Sequence, residues 1–272
     1  MIIGKKVENP TLRVISLGAG VQSSVMALMA SKGEISDIPD AAIFADTQAE
    51  PKLVYDHLNW LEKNLQFPVF RVTAGSLLET VLTGIQPDGH HFTPVPFFIE
   101  NAGIGRRQCT SIFKIEPVRK KIRELLGVNK GKKVPADVIV EQWIGISIDE
   151  IGRAKDSRDK WCYNRWPLIE KEMTRQNCID WFNKNYPDKT LPRSACFFCP
   201  YQSNKEFRSL KDNDEHSWQL ALEVDKKIRE ANKDKKQFVH RSCKPLDEID
   251  LMTEEEKGQI NWLDECDGMC GV

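Results

Sequence analysis

Apolar residues gather in short runs near the start of the chain. Leu12-Arg13-Val14-Ile15-Ser16-Leu17 and Ala41-Ala42-Ile43-Phe44-Ala45 read as strands buried on both faces, and Val69-Phe70-Arg71-Val72 as a shorter third. Between them the period changes. Ser23 to Lys32 is a helical run, and Val54, Leu58, Leu61 and Leu65 recur at spacings of three and four, the stripe of an amphipathic helix. A fourth strand is expected at Val138–Ile144, with helices over Lys114–Leu126, Thr174–Lys184 and Ser217–Ala231. Strand–helix alternation with short connections predicts an α/β fold, a Rossmann-like parallel sheet with helices on both faces. Residues 1–165 are expected to form that α/β domain and 166–272 a helical, Cys-bearing C-terminal region. From Gly84 to Arg107 the periodicity lapses, and Pro87, His90, His91, Phe92, Pro94, Pro96, Phe97 and Phe98 suggest a long functional loop or small hairpin over the sheet.

Composition narrows the class. Of 272 residues 40% are hydrophobic and 29% charged, as in a globular protein and unlike a disordered or fibrous chain. The formal charge is −1, so a polyanionic partner would have to meet a local patch. No apolar run approaches the roughly 20 residues that span a bilayer, so no membrane partner is expected. The N-terminal residues Met1-Ile2-Ile3-Gly4-Lys5-Lys6 lack a signal-peptide pattern, which places the chain in the cytoplasm. In that setting the 8 cysteines are expected to be metal ligands, redox groups or buried small hydrophobes rather than disulfides.

Candidate chemistry falls at strand ends, where ligands of parallel sheets bind. In Ser16-Leu17-Gly18-Ala19-Gly20-Val21-Gln22-Ser23-Ser24 a strand turns through small residues into a helix, aiming amide N–H groups and the helix dipole at one place that suits phosphate; an ordinary tight turn with Ser caps has the same pattern. Asp46-Thr47 ends the second strand, where a carboxylate can meet a ribose or a nucleotide-bound metal, while Thr47, Glu50 and Pro51 also read as a capped helix start. Arg106, Arg107, Cys109 and Lys114 set cations beside a thiol, a polyphosphate-binding field or a solvated helix end. Gly145-Ile146-Ser147-Ile148-Asp149-Glu150, followed by Arg153 and Lys155, delivers acids and bases together, as a phosphate site or a surface salt-bridge cluster. Cys196-Phe197-Phe198-Cys199 is a C-x-x-C, a metal site or a redox pair, with Cys266 and Cys270 in the tail; Cys162 and Cys178 read as buried thiols.

The order of these motifs resembles the PP-loop adenine-nucleotide alpha-hydrolase superfamily (HUP-type fold), in the branch of phosphoadenosine phosphosulfate reductases. Gly18–Ser24 keeps the register of that family's Ser-Gly-Gly-x-Asp-Ser-Ser/Thr loop, with Gly18, Ala19 and Gln22 in place of its Ser, Gly and Asp. Cys109 through Pro117 is similar to the Cys-Cys-x-x-Arg-Lys-x-Glu-Pro-Leu segment of the cluster-bearing branch, with Thr110 for the second Cys. Gly145 with Asp149 and Arg153, Pro167-Leu168 with Thr174, and Ser194–Cys199 are similar to its remaining segments. Within the superfamily the chain looks most like the ATP-pyrophosphatase components of DNA phosphorothioation systems of the single-strand type.

That resemblance implies cleavage of ATP to AMP and pyrophosphate, with Mg2+, to activate an acceptor. The acceptor would be a DNA backbone phosphate, with sulfur from a cysteine desulfurase and other modification-system subunits as partners. Ser16, Gly18, Ala19, Gly20, Gln22, Ser23, Ser24, Asp46 and Thr47 would bind the nucleotide, Asp46 or Asp149 meeting magnesium or the ribose. Arg107, Lys114, Arg153 and Lys155 would offset developing charge. Cys109, Cys196 and Cys199, with a fourth ligand from the tail cysteines Cys266 or Cys270 ahead of Cys243, would hold a 4Fe–4S cluster or, failing that, Zn2+. The resemblance leaves three other readings: a sulfonucleotide reductase depending on Cys266, a tRNA or nucleobase thiolase, and a non-catalytic nucleotide-binding subunit.

Overall fold

The computed structural model describes residues 6–86, 89, 93–231 and 235–252. In chain order the first elements are β1 (Leu12–Leu17), α1 (Val21–Ser31), β2 (Ala41–Asp46), α2 (Lys52–Asn64), β3 (Val69–Thr73), α3 (Leu77–Thr83), β4 (Phe98–Ile99) and β5 (Gly103–Ile104). A π-helical turn (Ser111–Ile115) leads into α4 (Glu116–Leu125) and β6 (Val140–Ile144). A 3-10 stretch (Ile148–Arg153) precedes β7 (Cys162–Arg165), α5 (Pro167–Glu170), α6 (Arg175–Asn185), α7 (Asn204–Asn213), α8 (Glu215–Ala231) and β8 (Gln237–Phe238). The chain folds into two compact units that interleave along the sequence, whereas the sequence reading cut it once, after residue 165.

The first unit takes the described residues of Met1–Ala45, Leu53–Val72 and Ile115–Ser194. It is built on a five-stranded sheet in the order β3-β2-β1-β6-β7, with parallel pairing of β1 to β2, β1 to β6 and β6 to β7. The runs of β1 and β2 are mostly apolar because both faces are covered. Ile15, Leu17, Ala42 and Phe44 face one buried cluster, shared with α1, Leu58, Leu61 and Phe182. Their neighbours Val14, Ala41, Ile43 and Ala45 face another, with Val118 and Ile122 of α4. Helix α1 shows little amphipathic period because nine of its residues are buried. Helix α6 starts on a capping box in which Thr174 accepts from the Asn177 N–H and the Asn177 side chain answers the cap.

A buried ion-pair network sits inside this unit. Glu141 is fully buried and accepts hydrogen bonds from Trp143 Nε1 (2.7 Å) and Arg13 Nε (2.8 Å), with Arg165 at 3.5 Å. Burial works to raise the Glu141 carboxyl, but the hydrogen bonds from Trp143, Arg13 and the Val7 amide and the Arg165 charge hold it below the usual range. Arg165, 1% exposed, lies over the Trp143 ring and reaches Glu170 at 2.8 Å.

The second unit takes the described residues of Asp46–Lys52, Thr73–Lys114 and Ala195–Val272. Its core joins Leu77, Phe97, Phe113, Phe198, Phe207, Trp218 and Val224. The Gly84–Arg107 stretch does contain a hairpin, β4 with β5, extended antiparallel by β8; Pro87, His90, His91 and Phe92 lie outside the described residues. Asp225 of α8, 1% exposed, accepts from the Val239 and Leu246 N–H groups (3.0 and 3.1 Å) and so ties the segment after β8 to the helix. None of the described helices is long and apolar enough to cross a membrane.

Candidate functional site

The glycine loop lies at the carboxyl end of β1, in the first unit. The strand order reverses there, with β2 on one side of β1 and β6 on the other, which makes it a topological switch point. Ala19 takes a left-handed φ of 53° with its side chain fully buried. Gly20 then starts α1 with no side-chain cap, so the first turn directs amide N–H groups outward with the positive end of the helix dipole. The end of β6 comes close to this turn. A Cβ on Gly145 would stand 2.7 Å from the backbone N and Cα of Ser23, so only glycine fits there.

The two serines play parts that the sequence reading did not give them. The Ser24 hydroxyl is fully buried and 3.0 Å from His57 Nε2, inside the core rather than toward a phosphate. Burial lowers the His57 pKa to about 4, so its ring is neutral at pH 7. Ser23 Oγ accepts from the Gly18 N–H at 3.1 Å and steadies the loop itself. Ser16 is a half-buried strand residue in register with Ile43 and Ile144.

Gln22, standing where the resembled family has Asp, meets a carboxylate from elsewhere. Its amide donates to Glu150 Oε2 at 3.0 Å and lies 3.5 Å from Ser147 Oγ, while Arg153 donates to Glu150 Oε1 at 2.5 Å. Burial pushes the Glu150 carboxyl up against the pull of Arg153. Of the two adjacent acids of this motif, Asp149 is the one expected from the sequence to meet magnesium or the ribose, yet Glu150 is the one that faces the loop. Asp149 accepts the Arg175 N–H on both oxygens (3.2 Å each) and thereby caps α6. Lys155 is exposed. Cys162 and Cys178 are buried thiols, as expected, pushed up to about 12 by burial and so unreactive.

The remaining candidates gather in the second unit around one pocket of about 460 Å3, counting space open to solvent. Thr47, Arg107, Cys109, Lys114, Cys196, Cys199 and Tyr201 line it together with apolar Leu77, Val95 and Phe198. Thr47 is not a helix cap: it is 1% exposed, its carbonyl accepts from the Leu77 N–H, and its hydroxyl lies 3.8 Å from Cys196 Sγ. The α2 N-terminus is met instead by Asp214, which accepts the Lys52 N–H at 2.9 Å. Asp46 Oδ1 accepts the Gln48 N–H (2.7 Å), and Lys114 pairs with buried Glu50 at 3.2 Å. Arg107 donates to Thr110 Oγ1 (2.7 Å) and stacks on Tyr201.

No family model matches the chain, and no curated protein does. Among solved structures, phosphoadenylyl-sulfate (PAPS) reductase from Candida auris, in a phosphate complex, is similar over 68% of this chain and 76% of that chain, at 16% identity and a TM-score of 0.40. A likeness of that depth assigns no activity.

A cluster or a structural zinc takes four protein ligands held within bonding reach of one centre. Cys109, Cys196 and Cys199 share the pocket, yet among the described residues no three His, Cys, Asp or Glu side chains are grouped to hold a metal ion. Cys266 and Cys270 lie outside the described residues. The described thiols therefore do not by themselves fit a 4Fe–4S cluster or zinc.

Proposed function

We propose that the chain is a PP-loop-type nucleotide enzyme that cleaves ATP between its α and β phosphates. An acceptor oxygen attacks the α phosphorus, the bond to the bridging oxygen breaks, and pyrophosphate leaves as AMP joins the acceptor. The observation that carries this reading is the uncapped α1 N-terminus at the switch point, closed in by Gly145. Backbone N–H groups of Gly20 to Ser23 would receive the departing pyrophosphate, a use of donors and dipole that suits anions. Glu150 would hold Gln22 in the loop, and Arg153 and Lys155 would supply positive charge beside it. Magnesium enters with the triphosphate as part of the substrate.

The nature of the acceptor rests on the motif resemblance: an oxygen of a DNA backbone phosphate, with sulfur arriving as a persulfide from a cysteine desulfurase and further modification-system subunits. One local feature supports a polyanion. Residues 119–133 carry seven Lys and Arg against one Glu in a chain of net charge −1. Incubating the full chain with α-labelled ATP, Mg2+, DNA and a persulfide donor should give AMP and pyrophosphate in equal amounts. ADP with phosphate would overturn the reading, and sulfite from an adenylylated sulfate with ATP untouched would replace it by a reductase.

A further inference from the structure

The pocket of the second unit has a chemistry of its own. Cys199 donates its backbone N–H to the Cys196 carbonyl at 2.9 Å, so Cys196-Phe197-Phe198-Cys199 closes a turn. Gln202 pins it, its side-chain amide reaching the Cys196 carbonyl at 2.6 Å and its backbone N–H the Cys199 carbonyl at 3.1 Å. A turn closed this way brings its end Cα atoms within about 7 Å, and a disulfide spans about 4.4–6.8 Å. The two thiols differ in access: Cys196 is partly exposed and Cys199 buried, and both line the same pocket. Arg107 lines it too. Its contacts are Thr110 and the Tyr201 ring, and among the described residues no carboxylate pairs with it.

We propose that Cys196 and Cys199 form a redox-active dithiol that exchanges with an anionic low-molecular-weight disulfide bound in this pocket, with Cys196 as the attacking thiol and Cys199 as the resolving one. The Cys196 thiolate attacks one sulfur of the disulfide R–S–S–R, that S–S bond breaks, and R–S⁻ leaves with a mixed disulfide on Cys196. The Cys199 thiolate then attacks Cys196 Sγ, and the second R–S⁻ leaves. The dithiol loses two electrons to the small disulfide, and its two protons go to the two leaving thiolates. Arg107 meets a carboxylate of the incoming molecule, and the apolar lining takes its stem. This activity is independent of ATP cleavage and makes the C-x-x-C a redox pair rather than half of a metal site.

The test uses the full chain, reduced, desalted and treated with glutathione disulfide, then alkylated and mapped by mass spectrometry. A peptide with Cys196 linked to Cys199, two hydrogens lighter than the dithiol, is expected. Cys199→Ser should stop at one glutathionyl group on Cys196, and Cys196→Ser should take up none at Cys199. Arg107→Ala should slow the reaction with glutathione disulfide about tenfold, the loss of one charge-assisted hydrogen bond, and leave that with neutral bis(hydroxyethyl) disulfide unchanged. Two singly alkylated thiols in the treated wild-type chain, or stoichiometric iron or zinc shielding both from alkylation, would overturn the proposal even if the variants fail to fold. Equal slowing of Arg107→Ala with both reagents would overturn the anion assignment.

Discussion

Gly145 is the residue on which the site's shape depends most. Its missing Cβ leaves room for the Ser23 backbone, which cannot swing aside as a flexible side chain could. Gly145→Ala should therefore displace the loop while costing about 1–3 kcal/mol of stability, the usual range for overpacking. A shift of about 1 Å in a site that positions phosphates costs on the order of a hundredfold in turnover. Nucleotide titration of the folded variant by calorimetry checks this, and unchanged affinity would mean that the loop does not bind the triphosphate. Gln22 gives a second residue-level expectation. Gln22→Asp installs the acid of the resembled motif but sets it against Glu150, now 3.0 Å from the Gln22 amide. Like charges at that distance oppose each other, so ATP turnover should fall. A rise would show that Glu150 does not supply the loop's carboxylate.

At the scale of elements, what could be read from the sequence depended on how each segment is buried. Strands β1 and β2 were legible because covered faces demand mostly apolar runs, and β3, with no fully buried residue, because Val69, Phe70 and Val72 still cluster. Strand β7, Cys162-Tyr163-Asn164-Arg165, was not. Its inward Arg165 is tolerated because Asp37, Glu141, Glu170 and the Trp143 ring receive it, and those partners come from other segments. Helix α3 is short and carries Glu79, Thr80 and Thr83, too little apolar period to stand out. The loop's position at a strand end was legible, but the direction of its hydroxyls was not. With nine α1 positions buried, no stripe marks Ser24 as facing His57. Pairs far apart in sequence, such as Glu50 with Lys114 and Asp214 with the α2 start, are likewise tertiary facts. Asp225 makes this scale testable. Asp225→Asn removes a charge and an acceptor from a carboxylate serving two buried N–H groups and Arg229. It should cost about 1–3 kcal/mol in urea unfolding and raise amide exchange at Val239 and Leu246. Unchanged exchange at those two amides would show that the carboxylate is not their anchor.

At the scale of the molecule, each unit has one buried histidine among the described residues, and the pair sets a pH response. Burial lowers His57 and His240 to about 4. Unfolded, each would titrate near 6.5, so the unfolded chain binds more protons between the two values. Their contribution to stability is complete above about pH 6.5 and is lost as the pH falls toward 4, at up to about 1.4 kcal/mol per histidine per pH unit. Glu150, raised by burial, acts in the opposite sense but as a single group. Denaturant midpoints should accordingly drop between pH 7 and pH 5, and a midpoint that holds or rises would contradict neutral buried rings. Whether the turn between β1 and α1 holds the triphosphate is decided by a crystal structure of the full chain with a non-hydrolysable α,β-methylene analogue of ATP and Mg2+. The β- and γ-phosphate oxygens should lie within hydrogen-bond reach of the N–H groups of Gly20 to Ser23. Phosphates seated anywhere else, with that turn left bare, would contradict this placement.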